Sequence, residues 1–331
     1  MHKRERLEKT IAGESTDRAP VAVWRHWPGD DQRPTDFAQA LIDYQKAFDW
    51  DMLVVQPANT YSVLDYGITT NWQDTINGHY SVTRHIIHRS LEWTELRPLD
   101  VMRGEYGKLL TCLQQIHAGL QDSKTPILVA IHSPLSQAKL LSGRVQLLRD
   151  MRVNRDRLRT GLNILTENTL NFIDALRKIP ISGILLMVEH ASYDVISEEE
   201  YVTFGTPYDR KILESVPHDW WLNGVSVLGQ APMMRLIGTY PAQFFNWEVH
   251  HQRPDLSEGR ALFEGAACGG VRTRDDLLYG TPMSIRDSAR KALMDMNQRR
   301  LILSAGGPAP IITPRSNLKA MRQIVEETAR I

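Results

Sequence analysis

Eight short apolar runs punctuate the chain, each ending at a polar or glycine-rich turn: Pro20–Trp24, Met52–Gln56, Ile127–Ile131, Ile184–Val188, Trp220–Leu222, Phe244–Trp247, Leu262–Glu264 and Leu301–Ser304. Most are apolar at consecutive positions, as strands covered on both faces of a parallel sheet are. Helical periods fill the gaps. Thr35 can cap a helix carrying Phe37, Leu41, Tyr44 and Phe48. Ser197 with Glu200 forms a capping box. Ser316 can open a last helix with Leu318, Met321, Ile324 and Val325 on one face. Strands alternating with helices make βαβ units, and eight of them predict an α/β fold of the (β/α)8 TIM barrel type. An open doubly wound sheet is the alternative.

Two segments exceed what a minimal barrel needs. After the second run, residues 60–100 alternate in a strand-like way over Tyr80–His88 and Leu91–Leu96, which predicts a hairpin insertion. After the third run, residues 144–178 are charged and helical, with Leu147, Leu148, Met151, Leu158, Leu162 and Leu165 recurring; a long surface helix pair is expected. No repeat, low-complexity stretch or linker divides the chain, so residues 1–331 read as one domain.

Composition changes this picture little. The 39 basic and 39 acidic side chains cancel, so neither a nucleic-acid nor an anionic-membrane partner is expected. No apolar run is long enough to cross a membrane, and with a charged stretch at residues 1–9 no secretory signal is expected. Cys112 and Cys268 lie far apart without a CxxC spacing. A disulfide framework is excluded and a cytoplasmic, reducing location is expected.

Barrel enzymes place their chemistry where strands hand over to loops. By that rule the candidate catalytic residues are Arg25, His26, His132, Glu189 and His190. Candidate substrate-binding residues are Asp30, Asp31, Gln56, Asn59, Tyr61, Asn223, Trp247, His250, Gly306 and Gly307. Three of these loops, after the first, third and fourth runs, place a histidine within two residues of a strand end, from only 11 in the chain. Each also reads as a hydrogen-bonded structural histidine. Arg25, at the barrel mouth, suits a bidentate grip on a carboxylate or phosphate; the other reading is an ion pair with Asp30 or Asp31 that pins the loop. The glycines of 265–270 and 306–307, with Arg272 and Arg274 nearby, read either as a phosphate cradle or as tight turns. His250 or His251 with Cys268 and Glu189 could be assembled into a zinc site, but no spacing motif supports one. No GxSxG elbow occurs, which argues against a serine nucleophile.

Several short motifs in order resemble the uroporphyrinogen decarboxylase superfamily. They are Arg4-Glu5-Arg6-Leu7-Glu8-Lys9-Thr10, Asp17-Arg18-Ala19-Pro20-Val21, Trp24-Arg25-His26, Phe48-Asp49-Trp50-Asp51, Ser133-Pro134, Glu189-His190-Ala191, Ala305-Gly306-Gly307-Pro308, Thr313-Pro314 and Asn317. The resemblance implies a (β/α)8 barrel, frequent dimers through barrel faces, and decarboxylation without metal or organic cofactor. In the family's decarboxylases, arginines hold the substrate carboxylates and an aspartate holds the pyrrole N–H groups. Carried over, the first arginine falls on Arg25. The second falls on Gly29, the aspartate near Ala58 or Asn59, the tyrosine near Leu140, the serine on His190 and the histidine on Gly306. The superfamily's corrinoid or thiol methyltransferase branch implies a zinc-binding His-x-Cys after strand five and a cysteine after strand eight. Those places read Leu222-Asn223-Gly224-Val225 and Gly306-Gly307-Pro308, with no ligand at either.

The sequence therefore predicts a divergent member near the methyltransferase-like branch. Its expected activity is that of a metal-independent carboxy-lyase on a small anionic, carboxylated substrate, with a tetrapyrrole among the candidates. An Arg25 clamp and His/Glu proton transfer would carry it. A methyltransferase with an unconventional or lost zinc site and a non-catalytic ligand-binding barrel remain the alternatives.

Overall fold

The computed structural model describes residues 1–72, 75–249 and 254–328. Its strands are β1 (Leu53–Val55), β2 (Thr69–Asn71), β3 (Ser81–Arg84), β4 (Ile127–His132), β5 (Gly183–Val188), β6 (Gly224–Val227), β7 (Phe244–Asn246), β8 (Ala266–Val271) and β9 (Leu301–Ala305). Seven form one parallel sheet in the order β1-β4-β5-β6-β7-β8-β9. Successive side chains on a strand point to opposite faces, and each face of the sheet buries its own cluster. Val54, Leu128, Ala130, Leu185, Met187, Phe244 and Ile302 pack with Trp24 on one side. Val55, Val129, Ile131, Ile184, Leu186 and Leu303 pack toward the helices on the other. This double burial is why the runs read as apolar throughout.

Three expectations from the sequence are corrected. The run Pro20–Trp24 is not a regular strand. Val21 bridges Leu303, and Arg25 bridges Ala309, each in parallel. The runs Trp220–Leu222 and Leu262–Glu264 lead into the true strands β6 and β8, which start a few residues later. Both strands consist mainly of small residues, Gly224-Val225-Ser226-Val227 and Ala266-Ala267-Cys268-Gly269-Gly270-Val271, so their apolar signal is weak. The expected hairpin also has different arms. β2 pairs antiparallel with β3, whereas Ser90–Thr94 forms a 3-10 turn. The capping box at Ser197 and Glu200 is present.

Residues 20–25 hydrogen-bond at both edges of the sheet. Ala22 N–H donates to Leu303 O at 3.1 Å, and Leu303 N–H to Pro20 O at 2.8 Å. On the other side, Asp51 reaches Val21 twice. Its N–H donates to Val21 O at 2.9 Å, and its carboxylate accepts Val21 N–H at 2.8 Å. The same buried carboxylate takes Arg6 at 2.7 Å and Arg18 at 2.7 Å. Arg6 grips Asp17 as well, at 2.7 and 2.6 Å. Helix Lys3–Ala12 is thereby fastened across the end of the sheet opposite the strand C-termini, with Leu7 in the inner cluster.

Helix Pro134–Val153 breaks at Gly143, whose φ of 75° and ψ of 162° lie outside the helical region. A break frees carbonyls that would otherwise pair within the helix. Here Leu141 O accepts both Ile86 N–H and Ile87 N–H at 3.0 Å, and Leu140 O accepts the His85 ring N–H at 3.0 Å. The chain leaving β3 is therefore docked on the kink. Among the described residues no helix is long and apolar enough to cross a membrane.

Removing one member of a buried, hydrogen-bonded ion cluster leaves the other charges stranded, at a cost of about 3–5 kcal/mol. Asp51→Ala should lose stability in that range in urea denaturation. A loss below about 1 kcal/mol would show that the cluster does not hold the fold's base together.

Candidate active site

A cleft of about 700 Å³ opens at the C-terminal ends of the sheet strands. Each sheet strand sends residues to it. Gln56 follows β1, His132 ends β4, and Glu189 follows β5. Leu228 and Gly229 follow β6, Glu248 lies just past β7, Arg272 and Arg274 follow β8, and Gly306 and Gly307 follow β9. His26 arrives from the edge segment, while Asn77 and His79 arrive from the β2–β3 connection. A second lobe of about 370 Å³ shares Asn59, His79, Glu189, Leu228 and Gly229 with the first and adds Lys139, Arg144 and His190.

The centre is polar and poor in internal partners. Gln56 is fully buried, and neither atom of its amide has a partner. The ring nitrogen Nδ1 is likewise unpartnered in His132 and in His190. One carboxylate oxygen of Glu248 is buried and unpartnered too. Buried polar groups are nearly always satisfied, so such a cluster in a cleft marks positions a ligand can occupy. His26 differs, since its Nδ1 lies 3.1 Å from Pro57 O and its ring meets the His79 ring edge-on at 4.6 Å.

Glu189 forms an ion pair with Lys139. Burial pushes its carboxyl up, but Lys139, His190 and His132 together outweigh that and hold it below the usual range. Burial also dominates at the imidazoles, where it penalises the charged form. His132 and His190 are each lowered to about 4, and His26 and His79 are lowered too. At neutral pH these four rings are uncharged.

The structure sorts the residues singled out from sequence. His26, Gln56, Asn59, His132, Glu189, Gly306 and Gly307 line the main cleft, and His190 lines the second lobe. Asn59 is also occupied. Its amide donates to Tyr80 O at 3.0 Å and accepts Tyr80 N–H at 2.7 Å, holding the hairpin over the cleft. Gly306 leaves room for Glu248, whose carboxylate oxygen would stand 2.8 Å from a Cβ there.

Others lie elsewhere. Arg25 does not face the cleft. Its guanidinium stacks 4.0 Å from the Trp27 ring centroid and donates to Ile311 O at 2.7 Å. Asp30 is on an exposed turn, and Asp31 accepts from Tyr80 OH at 2.7 Å and Gln32 at 2.8 Å, outside the cleft. Tyr61 packs behind it, against Tyr106, Phe172 and His132. Trp247 is buried on the helix side, with its indole N–H on Pro254 O at 2.9 Å. Asn223 precedes β6, so it lies at the opposite end of the sheet. It accepts Ile184 N–H at 3.1 Å and donates to Trp220 O at 2.8 Å. That error followed directly from placing the strand too early. His250 and His251 lie outside the described residues.

Sequence reasoning missed His79 and Lys139 as cleft residues; it named Arg274 only beside the glycine turns, and it left Glu248 out of the candidate set. Glu248 directly follows the sixth apolar run and was accessible to the strand-end rule. Lys139 stands inside a helix, and His79 comes from an insertion whose packing no local pattern encodes.

Among the described residues, the positions where the resemblance places the methyltransferase branch's zinc ligands carry none. The true end of β6 reads Val227-Leu228-Gly229-Gln230, again without a ligand, and among the described residues no three His, Cys, Asp or Glu side chains are grouped to hold a metal.

The uroporphyrinogen decarboxylase (URO-D) family model matches residues 2–328, so the chain belongs to that family. Among solved structures it is similar to a methyltransferase from Methanosarcina mazei, with a TM-score of 0.87, 20% identity and 99% of each chain covered. It is also similar to a B12-independent methionine synthase from Shewanella sp. W3-18-1, in complex with selenomethionine, with a TM-score of 0.64 and 11% identity over 95% of this chain and 98% of that one. A putative vitamin-B12 independent methionine synthase from Listeria monocytogenes gives 0.54 and 12%, covering 99% and 92%. At these identities the likeness is one of fold. No curated protein matches the chain by sequence.

The lowered histidines set a pH dependence. An unfolded histidine titrates near 6.5, and folded His132 and His190 near 4. Protons therefore favour the unfolded chain. The stability the pair contributes is full above pH 6.5 and is lost as pH falls toward 4. Asp209, raised to about 7 by burial, acts in the opposite direction, losing stability as pH rises toward 7. Only wild type against variant isolates the histidines. His132→Gln with His190→Gln should flatten the fall in Tm between those pH values in thermal melts. Overlapping profiles would disprove their neutral burial.

Proposed function

We propose that this chain is a URO-D-family enzyme that catalyses proton transfer on a small carboxylated substrate, in the manner of a carboxy-lyase. One observation carries the reading: the Glu189–Lys139 pair stands among neutral imidazoles with unpartnered ring nitrogens. Loss of carbon dioxide leaves an electron pair on the substrate carbon, which must be delocalised and then protonated. Lys139 supplies that proton and Glu189 holds its ammonium in place. A neutral imidazole accepts at one nitrogen while donating at the other, so His132 and His190 can return a proton from water without carrying charge. We take residues 20–25 as the eighth stave of a (β/α)8 barrel around this site.

The anion-binding role passes from Arg25 to Arg274, a cleft-lining arginine with no ion-pair partner among the described residues. Of the positions the family resemblance assigns to tetrapyrrole binding, Arg25 alone is kept, and it is held on Trp27. The substrate is therefore read as a smaller acid that carries its own electron sink, such as a β-keto acid. Methyl transfer is the second reading, favoured by the fold likeness to the M. mazei methyltransferase.

A panel of β-keto and heteroaromatic acids in deuterium oxide tests both. The expected result is carbon dioxide release with deuterium at the vacated carbon. Lys139→Met or Glu189→Gln should slow it about 10²–10⁴-fold, while Arg274→Gln should raise KM with kcat held. Methyl transfer to a thiol acceptor without carbon dioxide release would establish the second reading instead. Binding without either reaction would leave a ligand-binding barrel and overturn the proposal.

A further inference from the structure

We propose that the lobe beside His190 is a second subsite, which holds a distal carboxylate of the substrate on Arg144 with an apolar stem lying along the lobe. This rests on the carboxylate reading above and adds the substrate's shape to it. The lobe has two unlike sides. Leu140, Leu147, Leu148 and Val195 form an apolar wall, while Lys139, Arg144 and His190 supply polar groups. Its volume of about 370 Å³ suits a slender chain, and with the main cleft beside it the joined space reaches the size of a ligand site.

The charges identify the end group. Glu189 answers Lys139, so Lys139 adds no net charge to the lobe. Arg144 has no ion-pair partner among the described residues and is the remaining cation. A single carboxylate matches it in charge and in planar two-point geometry, whereas a phosphate dianion would leave half its charge unmatched. His190 is 3% exposed and has Nδ1 unpartnered, so it offers a further hydrogen bond. The kink at Gly143 builds this arrangement. It separates Lys139 and Leu140 from Arg144, Leu147 and Leu148 onto two helical pieces, and the docked chain at His85–Ile87 holds the break open. Glu189 and His79 line both spaces, so a stem passing them would carry the other end of the substrate into the main cleft, toward Arg274. The preferred ligand is thus an acid at both ends with an apolar middle, narrow enough to lie in single file.

Calorimetric titration of wild type and Arg144→Gln with linear saturated dicarboxylates and monocarboxylates of matched length, from five to ten carbons, tests the subsite. Arg144 is exposed, so the variant should fold. In wild type the dicarboxylate should bind about tenfold tighter at the best length, the scale of one charge-assisted bidentate contact. Arg144→Gln should erase that advantage and leave the monocarboxylate unchanged. Equal dicarboxylate preference in both proteins would overturn the subsite and leave the carboxylate reading standing. A matched alkyl phosphonate that outbinds the dicarboxylate would overturn the choice of end group. Failure of every acid to bind wild type would overturn the carboxylate reading, and the subsite with it.

Discussion

The Asp51 carboxylate is the point on which this fold turns. It accepts two guanidinium groups and the Val21 N–H while its own backbone N–H donates to Val21 O. Segment 20–25 lacks the regular ladder that would otherwise hold it between the last strand and the first. Asp51 substitutes for part of that ladder, using a side chain where a strand would use a carbonyl. A carboxylate buried this deeply is costly unless its lone pairs are filled, and here Arg6 and Arg18 fill them. The site depends on this arrangement at a distance. Trp24 and His26 lie on the same short segment, so the position of His26 in the cleft follows from how Val21 is held at the opposite end.

Satisfaction and its absence divide the molecule. At the base, Asp51, Arg6, Arg18 and Asp17 hydrogen-bond one another closely. At the strand C-termini, Gln56, His132, His190 and Glu248 leave polar atoms buried without partners. Each such group costs about 1–3 kcal/mol relative to a satisfied one. Burial of the apolar sheet faces offsets that cost, and the unsatisfied atoms are left open to a polar ligand.

The same division explains what could be read from the sequence. Parallel strands with two buried faces produce continuous apolar runs, so β1, β4, β5, β7 and β9 were legible. β6 and β8 were placed early because small residues carry little apolar signal, and Asn223 was assigned to the wrong end of the sheet as a result. Family membership was legible for a further reason. Arg6, Asp17, Arg18 and Asp51, which carry much of the resemblance, are the base cluster itself, and Asn317 braces Leu277 O and Gly280 O. These motifs report how the fold is fastened, not what it does. The strand-end rule found His132, Glu189 and His190, because position along a strand fixes which end of the sheet a residue occupies. It could not tell that Arg25 turns onto Trp27 or that Tyr61 packs behind the cleft, since side-chain direction is decided by tertiary neighbours. Lys139 and Arg144 were invisible because their meeting depends on a kink stabilised by a segment more than fifty residues earlier.

The turn of Arg25 has a consequence for specificity. With its guanidinium on Trp27 and Ile311 O, the cleft lacks the cation that the family resemblance places beside the reacting centre. Arg144 and Arg274, without an ion-pair partner among the described residues, instead line two different parts of the joined cavity, which the Glu189–Lys139 pair and the neutral imidazoles also line. Positive charge set apart in this way favours a ligand whose negative charges are set apart too. The half-buried Glu189 carboxylate, for its part, is paired with Lys139. In this chain the base motifs of the family are retained, while arginines reach the joined cavity at Arg144 and Arg274 rather than at Arg25.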